Sequence, residues 1–292
     1  MPTPLINASA AGTWTLGDLT VNRIGFGAMR LPGGANYGYG AASDRDRVIG
    51  VLRRAVELGV NHIDTAAFYF SPLRSANELI NRALAPYSDD VVIAAKVGPG
   101  RDPAGEWLPL ARPDQLRGQV EENLRQLGRD HLDVVYLRQH GLDSVAEHFG
   151  ALAELRDAGL IRHLGLSNIR PQHLAQAQAI APVVSVQNPY GVDTRRMHDE
   201  FLRACGEQGV AFVPFFSVAG EGKESGGVAR NETVLAVAQA HGVTAAQVRI
   251  AWTLSRGPHM LAIPGTGNPD HLVENIAAGA LRLSAEELAS LE

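Results

Sequence analysis

Eight short apolar runs alternate with amphipathic helical stretches along the 292 residues, and that alternation predicts an α/β fold of the (β/α)8 TIM-barrel class. The runs are apolar throughout rather than on alternate positions, as in a parallel sheet covered by helices. Eight such units in fewer than 300 residues fit a closed barrel better than an open doubly wound sheet. Ahead of the first unit, Thr13 to Leu16 and Leu19 to Val21 flank Gly17-Asp18, a tight-turn signal for a hairpin that closes the N-terminal end of the barrel.

In order, the expected strands are 24–29, 62–65, 91–97, 132–137, 163–166, 183–186, 211–216 and 260–263. The helical patterns between them cover 45–58, 76–84, 113–127, 145–158, 171–179, 197–208, 232–240 with 245–255, and 269–278. Ser43 and Asp44 suit the start of the first helix, and Gly59, Gly128, Gly159 and Gly209 follow helical stretches as C-terminal caps do. No linker, charge run or low-complexity stretch interrupts the βα period, so residues 1–292 read as one domain.

Composition narrows the function. A 45% hydrophobic, 20% charged chain with a net charge of −5 offers no broad basic surface for nucleic acid or an anionic membrane. Arg53-Arg54 and Arg195-Arg196, its densest basic pairs, suit solvated helix faces. The single cysteine, Cys205, falls in a helical stretch and reads as a small core residue. The first ten residues lack the basic start and apolar run of a signal peptide, and no later run is long enough to span a bilayer, so a cytoplasmic protein is expected.

Lysine usage points to a site. The chain has only two lysines against 24 arginines, and Lys96 ends the apolar run 91–97. A buried ammonium costs several kcal/mol unless it is paired, on the order of the penalty for other buried charges. Lys96 either snorkels to water or serves a site at the barrel mouth, where the active groups of such barrels gather. Asp64, at the end of the preceding strand, is its natural partner, and small Ala94 leaves room beneath it on the same face. Tyr69 follows five residues after Asp64, in the loop above. Alone it reads as a loop aromatic. Beside an ammonium, its phenol would become acidic enough to protonate a carbonyl oxygen.

At this point the chain resembles the aldo-keto reductase superfamily over nearly its whole length, and within it a bacterial branch that includes pyridoxal reductases. The resemblance rests on GVNHIDTAAFY at 59–69 with NELI at 77–80, AAKVG at 94–98, GLIRHLGLSN at 159–168, VQN at 186–188, and IPGT at 263–266 with Glu274-Asn275. It implies that Tyr69 donates the proton, that Lys96 lowers its pKa, and that Asp64 orients Lys96. The family's fourth catalytic residue is a histidine five positions after the aspartate of the fourth strand; counted from Asp133, this chain has Arg138. Arg138 can donate hydrogen bonds to a carbonyl oxygen but cannot shuttle a proton. His140, two residues on, is the alternative if the strand end bulges.

The resemblance further implies an extended nicotinamide dinucleotide across the barrel top. Its residues would be Gly27, Met29 and Asp64 near the first strands, with Ser167, Asn168 and Gln187 on the carboxamide. Phe215, Phe216, Ser217 and Lys223 would follow strand seven, and Gly265, Thr266, Gly267, Asn268, His271 and Asn275 would hold the far end. No GxGxxG follows the first strand, so a Rossmann site is not indicated. Phe215 equally suits a core role, and Lys223 equally suits a solvated loop. The start of the last barrel helix favours an anion such as the 2′-phosphate of NADPH. Yet Gly265 and His271 stand where the family often has lysine and arginine, which leaves NADH open. Phe68, Phe70 and Trp107 are candidate walls for a small aromatic or cyclic carbonyl substrate, Trp107 fitting barrel-rim packing as well. No metal is implied, and the family is often monomeric. Two other readings stay open: a dinucleotide-binding regulatory barrel with little turnover, and an aldolase-type barrel using Lys96 as a Schiff-base nucleophile.

Overall fold

The computed structural model describes residues 6–33, 44–193, 199–215, 217–218 and 231–292; Ser43, the Arg195-Arg196 pair, Met197, Phe216 and Lys223 lie outside them. The strands are β1 (Thr13–Leu16), β2 (Leu19–Asn22), β3 (Phe26–Gly27), β4 (His62–Asp64), β5 (Phe70–Ser71), β6 (Arg74–Ser75), β7 (Val92–Val97), β8 (Leu132–Arg138), β9 (Ile161–Ser167), β10 (Val183–Gln187) and β11 (Ala211–Phe212). The helices are α1 (Arg45–Glu57), α2 (Ala76–Leu84), α3 (Leu116–Leu127), α4 (Ala146–Asp157), α5 (Pro171–Gln178), α6 (Asp199–Glu207), α7 (Glu232–His241), α8 (Ala245–Ser255), α9 (Pro269–Ala277) and α10 (Ala285–Ser290).

Seven strands form one parallel sheet in the order β3-β4-β7-β8-β9-β10-β11. The segment expected as the eighth strand closes the ring through two parallel bridges, Phe212 with Met260 on one side and Ile24 with Ala262 on the other. Backbone bonds from Leu261 N to Phe212 O (3.0 Å) and from Ala262 N to Arg23 O (2.8 Å) accompany them. Arg23 reinforces this seam by donating from Nε to Met260 O at 3.1 Å and from Nη1 to Ala11 O at 3.1 Å. The architecture is thus the (β/α)8 barrel that the alternation predicts. The first, seventh and eighth staves pair less regularly than the others; along the seventh, Val213 N still bonds Val186 O (2.8 Å) and a parallel bridge joins Pro189 to Phe215.

β1 and β2 pair antiparallel with Leu16 opposite Leu19. Gly17, at φ 66°, supplies the left-handed conformation that the turn needs. Leu16, Leu19 and Val21 pack with Val92, Ala94, Val134, Tyr136, Ala211, Val213 and Leu261 inside the barrel, so the hairpin is its floor. Asp18 in the turn pairs with Arg162 (2.6 Å) and His163 (2.6 Å) at the start of β9, which fixes the floor to the N-terminal rim. A larger core lies between the sheet and the helices, with Phe149, Leu152, Leu164 and Trp252 among its fully buried members.

Local chemistry sets the helix ends. Asp44 caps α1 by accepting from Arg47 N at 2.9 Å, and Gly128 ends α3 in the left-handed region at φ 65°. Among the described residues no helix is long and apolar enough to cross a membrane.

Candidate active site

The strand ends open into a cavity of about 550 Å³. Asp64 ends β4 and Lys96 is the penultimate residue of β7; Asp64 pairs with Ala94 in register, which brings the two side chains to one level inside the ring. Lys96 is 2% exposed and Asp64 3%, and they form a buried ion pair. Lys96 Nζ also donates to Thr65 O at 3.3 Å and sits 5.1 Å from the centroid of the Tyr69 ring. The second oxygen of Asp64 accepts from Gln187 Nε2, at the end of β10. A charge at this depth persists only because both partners are present.

Tyr69 is buried and lines the cavity. Burial pushes its phenol well above the ordinary tyrosine value, the Asp64 carboxylate pushes it further, and the Arg138 guanidinium pulls it back. Lys96, expected to acidify the phenol, thus stands beside the ring while ion-paired with Asp64. The ammonium is paired with Asp64 and falls below its ordinary value through burial.

Arg138 ends β8 opposite Ser167 of β9 and lines the cavity. Its Nη1 donates to Ser167 Oγ at 3.3 Å, and its guanidinium carbon lies 5.0 Å from the Phe215 ring centroid. His140 does not take its place: it is exposed and off the cavity wall. β8 runs unbulged to Arg138, and buried Gln139 turns away to clasp Asn168 instead. Beneath the site, His62 is fully buried with neither ring nitrogen hydrogen-bonded among the described residues. Burial holds its pKa down to about 4, with Asp64 opposing and Lys96 adding to that shift.

Of the residues expected to hold a dinucleotide, Gly27, Met29, Asp64, Gln187, Phe215, Ser217, Gly265, Thr266, Gly267, His271 and Asn275 share this cavity. Gln187 Oε1 is buried with no hydrogen-bond partner among the described residues, an acceptor available to a ligand amide. Ser167, Asn168 and Asn268 are off the wall. Ser167 is buried behind Arg138. Asn168, at φ 60°, donates from Nδ2 to Gln139 O at 3.1 Å. Asn268 is the N-cap of α9, accepting from Asp270 N at 2.8 Å, while its own N–H bonds Thr266 Oγ1 at 3.0 Å. The start of α9 is therefore largely self-satisfied, less open to an anion than the sequence implies.

Gly27 and Gly265 meet backbone to backbone across the barrel seam. A Cβ on Gly265 would fall 2.1 Å from Gly27 O, and one on Gly27 would fall 2.6 Å from Ile263 O. No side chain, lysine included, fits at 265 without moving the strands. Phe68 and Trp107 form a wall, their rings 5.8 Å apart at 61°. Trp107 is 53% exposed and carries Arg101 4.1 Å from its ring centroid, so lining and rim packing coincide. Phe70 lies instead in the small β5–β6 hairpin, off the wall. Sequence reasoning missed Arg30, Pro214 and Thr244 to Ala246, which also line the cavity; Pro214, Ala245 and Ala246 fall inside the expected strand 211–216 and helix 245–255, whose patterns mark burial and not a site. It also missed how Asn188 clamps the 167–169 turn, accepting from Ile169 N at 2.9 Å and donating to Ile169 O at 2.7 Å. Among the described residues no cluster of His, Cys, Asp and Glu could hold a metal ion.

Comparison with known proteins agrees with this geometry. The model of the "Aldo/keto reductase family" matches residues 23–292. The chain is 43% identical over 290 residues to pyridoxine 4-dehydrogenase of Escherichia coli, covering 97% of this chain and 98% of that protein. It is 29% identical over 279 residues to a methylglyoxal reductase of the same organism, covering 94% and 92%. An aldo/keto reductase from Klebsiella pneumoniae, solved in complex with NADP and acetate, superposes with a TM-score of 0.79 at 28% identity, covering 96% of this chain and 93% of that one. A buried Asp64–Lys96 pair against Tyr69 at the mouth of an eight-fold barrel, and a family match over almost the full length, lead to one conclusion: the chain belongs to the aldo/keto reductase family, a family of NAD(P)H-dependent oxidoreductases.

Proposed function

We propose that the protein is an NADPH-dependent reductase of a small aromatic or cyclic aldehyde or ketone, with Tyr69 as proton donor and a pyridoxal-like carbonyl as the first candidate. The observation that carries the reading is the convergence of Tyr69, the Asp64–Lys96 pair and the unpartnered Gln187 Oε1 on one cavity. That orphaned acceptor fits the carboxamide of a dinucleotide; Gln187, Phe215, Thr266, His271 and Asn275 would hold it. Bound there, the cofactor supplies the hydride that no side chain can.

The chain's own residues supply the rest. Tyr69 stays protonated through the neutral range, because burial keeps its phenol high, and gives its proton to the substrate oxygen as the carbonyl carbon is reduced. Arg138 donates N–H groups to the same oxygen and moderates the phenol's basicity. Asp64 and Lys96 hold one another in register below Tyr69, while Phe68 and Trp107 shield the site from water. The names of the Escherichia coli relative and of the Klebsiella pneumoniae complex support the substrate class and the cofactor. Gly265 and His271 in place of a basic pair keep NADH as the competing cofactor.

Tyr69→Phe tests the reading. We expect NADPH oxidation with pyridoxal or benzaldehyde to be abolished while NADPH still binds; full turnover in that variant rejects Tyr69 as the acid. A regulatory barrel with little turnover, the reading that Arg138 in place of the family histidine keeps open, predicts tight NADPH binding and no oxidation on any carbonyl.

A further inference from the structure

Arg138 brings to the cavity a permanent charge that no acidic side chain among the described residues pairs. Among the described residues it forms no ion pair; its one hydrogen bond is to the neutral Ser167 hydroxyl. Asp64 is not available to it, since its two oxygens are taken by Lys96 and Gln187. Glu274, the other carboxylate on the cavity wall, belongs to α9 and makes no ion pair among the described residues. With Lys96 paired to Asp64, Arg138 is left as a charged group acting on Tyr69 with no ion pair of its own among the described residues. A neutral aldehyde needs only a single hydrogen-bond donor at its oxygen, and Tyr69 provides one. The guanidinium, steadied by Ser167 and by the Phe215 ring, has a planar fork of further N–H groups to offer. Such a fork matches two oxygens held side by side, one of them anionic. The walls are aromatic: Phe68, Trp107 and Phe215.

We propose that Arg138 is a specificity-determining residue that selects aryl carbonyls bearing an ortho-hydroxyl group, bound as the phenolate, by chelating the carbonyl oxygen and the adjacent phenolate oxygen together. The inference rests on the reductase reading above and deepens it by naming the substrate class. Pyridoxine, the compound named for the Escherichia coli relative, carries a ring hydroxyl ortho to its 4-hydroxymethyl group, so its aldehyde has this arrangement. Ionisation of the phenol releases one proton to solvent before reduction, and the hydride and proton transfers at the carbonyl are unchanged.

The experiment compares 2-hydroxybenzaldehyde with 4-hydroxybenzaldehyde, an isomer of nearly equal size whose phenolate lies out of reach of a chelating fork. With NADPH, the wild-type kcat/KM ratio of ortho to para should be about tenfold or more, as one hydrogen bond to a charged group provides. Arg138→Gln should lower both rates and bring the ratio to about one, while Arg138→Lys, which keeps the charge without the fork, should retain part of it. A ratio unchanged in Arg138→Gln overturns the proposal. A second readout needs no turnover: with NADP⁺ in place of NADPH, the phenolate absorption of bound 2-hydroxybenzaldehyde should appear at lower pH than for the free compound in the wild type and not in Arg138→Gln. Absence of that shift in the wild type also overturns it. If the shift is present but the wild type reduces no carbonyl with NADPH, the reductase reading fails and the assignment of Arg138 as a phenolate anchor stands.

Discussion

His62 lies on β4 two residues before Asp64, buried, with both ring nitrogens unpartnered among the described residues. In the folded chain its pKa is held down to about 4, against an ordinary 6.5. Between those two values the unfolded chain binds a proton that the folded chain refuses, so stability rises with pH across this window and is lost as pH falls through it. A difference of roughly 2.5 units at about 1.36 kcal/mol per unit gives on the order of 3 kcal/mol, fully lost only once the pH drops below about 4. Replacing His62 with leucine removes the titration while keeping approximately the same volume. Urea unfolding of wild type and His62→Leu at pH 7 and at pH 4 isolates the contribution as a double difference, since the other acid-titrating groups are common to both. We expect the wild type to lose about 3 kcal/mol more than the variant over this interval. Equal losses would mean that His62 is protonated in the folded state, and the account of it as a neutral, desolvated imidazole would fail.

Two further outcomes follow from the site. Lys96→Met strands the Asp64 carboxylate in the barrel, and we expect a loss of about 3–5 kcal/mol in urea unfolding, recovered in large part by adding Asp64→Asn; additive losses would show that the two groups do not act as a pair. Gly265→Lys, which restores the residue often found in the family, forces a Cβ against Gly27 O and should cost about 1–3 kcal/mol of stability without tightening NADPH relative to NADH. Calorimetric Kd values for both cofactors test it, and a tenfold gain for NADPH with no loss of stability would refute the steric reasoning.

Much of the barrel was legible because burial on both faces writes its strands as unbroken apolar runs, and every such run forms a stave. The Asp64–Lys96 pair was equally legible: a charge at the end of an apolar strand requires a partner, and strand order supplies one. Other features depend on contacts that a linear pattern does not contain. Phe70 looked like a wall residue beside Phe68, but the small β5–β6 hairpin carries it off the cavity. Asn268 looked like an anion ligand, but it spends its side chain capping α9. The direction of the Tyr69 shift follows from the balance of burial, Asp64 and Arg138, which only three-dimensional placement sets. Gly265 read as an absent lysine; its cause is the close approach of Gly27, far away in sequence.

The seam between the first and last staves has a consequence for how ligand enters. Its backbone bonds run from Ala262 N to Arg23 O (2.8 Å), from Gly25 N to Ala262 O (2.8 Å) and from Gly27 N to Pro264 O (3.3 Å), and Arg23 Nε adds a bond to Met260 O. Gly27 and Gly265 flank that joint and also form part of the cavity wall. Parting the cylinder at this joint would therefore widen the groove across its top. A long molecule lying over both glycines would act as a clasp, drawing the two ends of the polypeptide together while it is held.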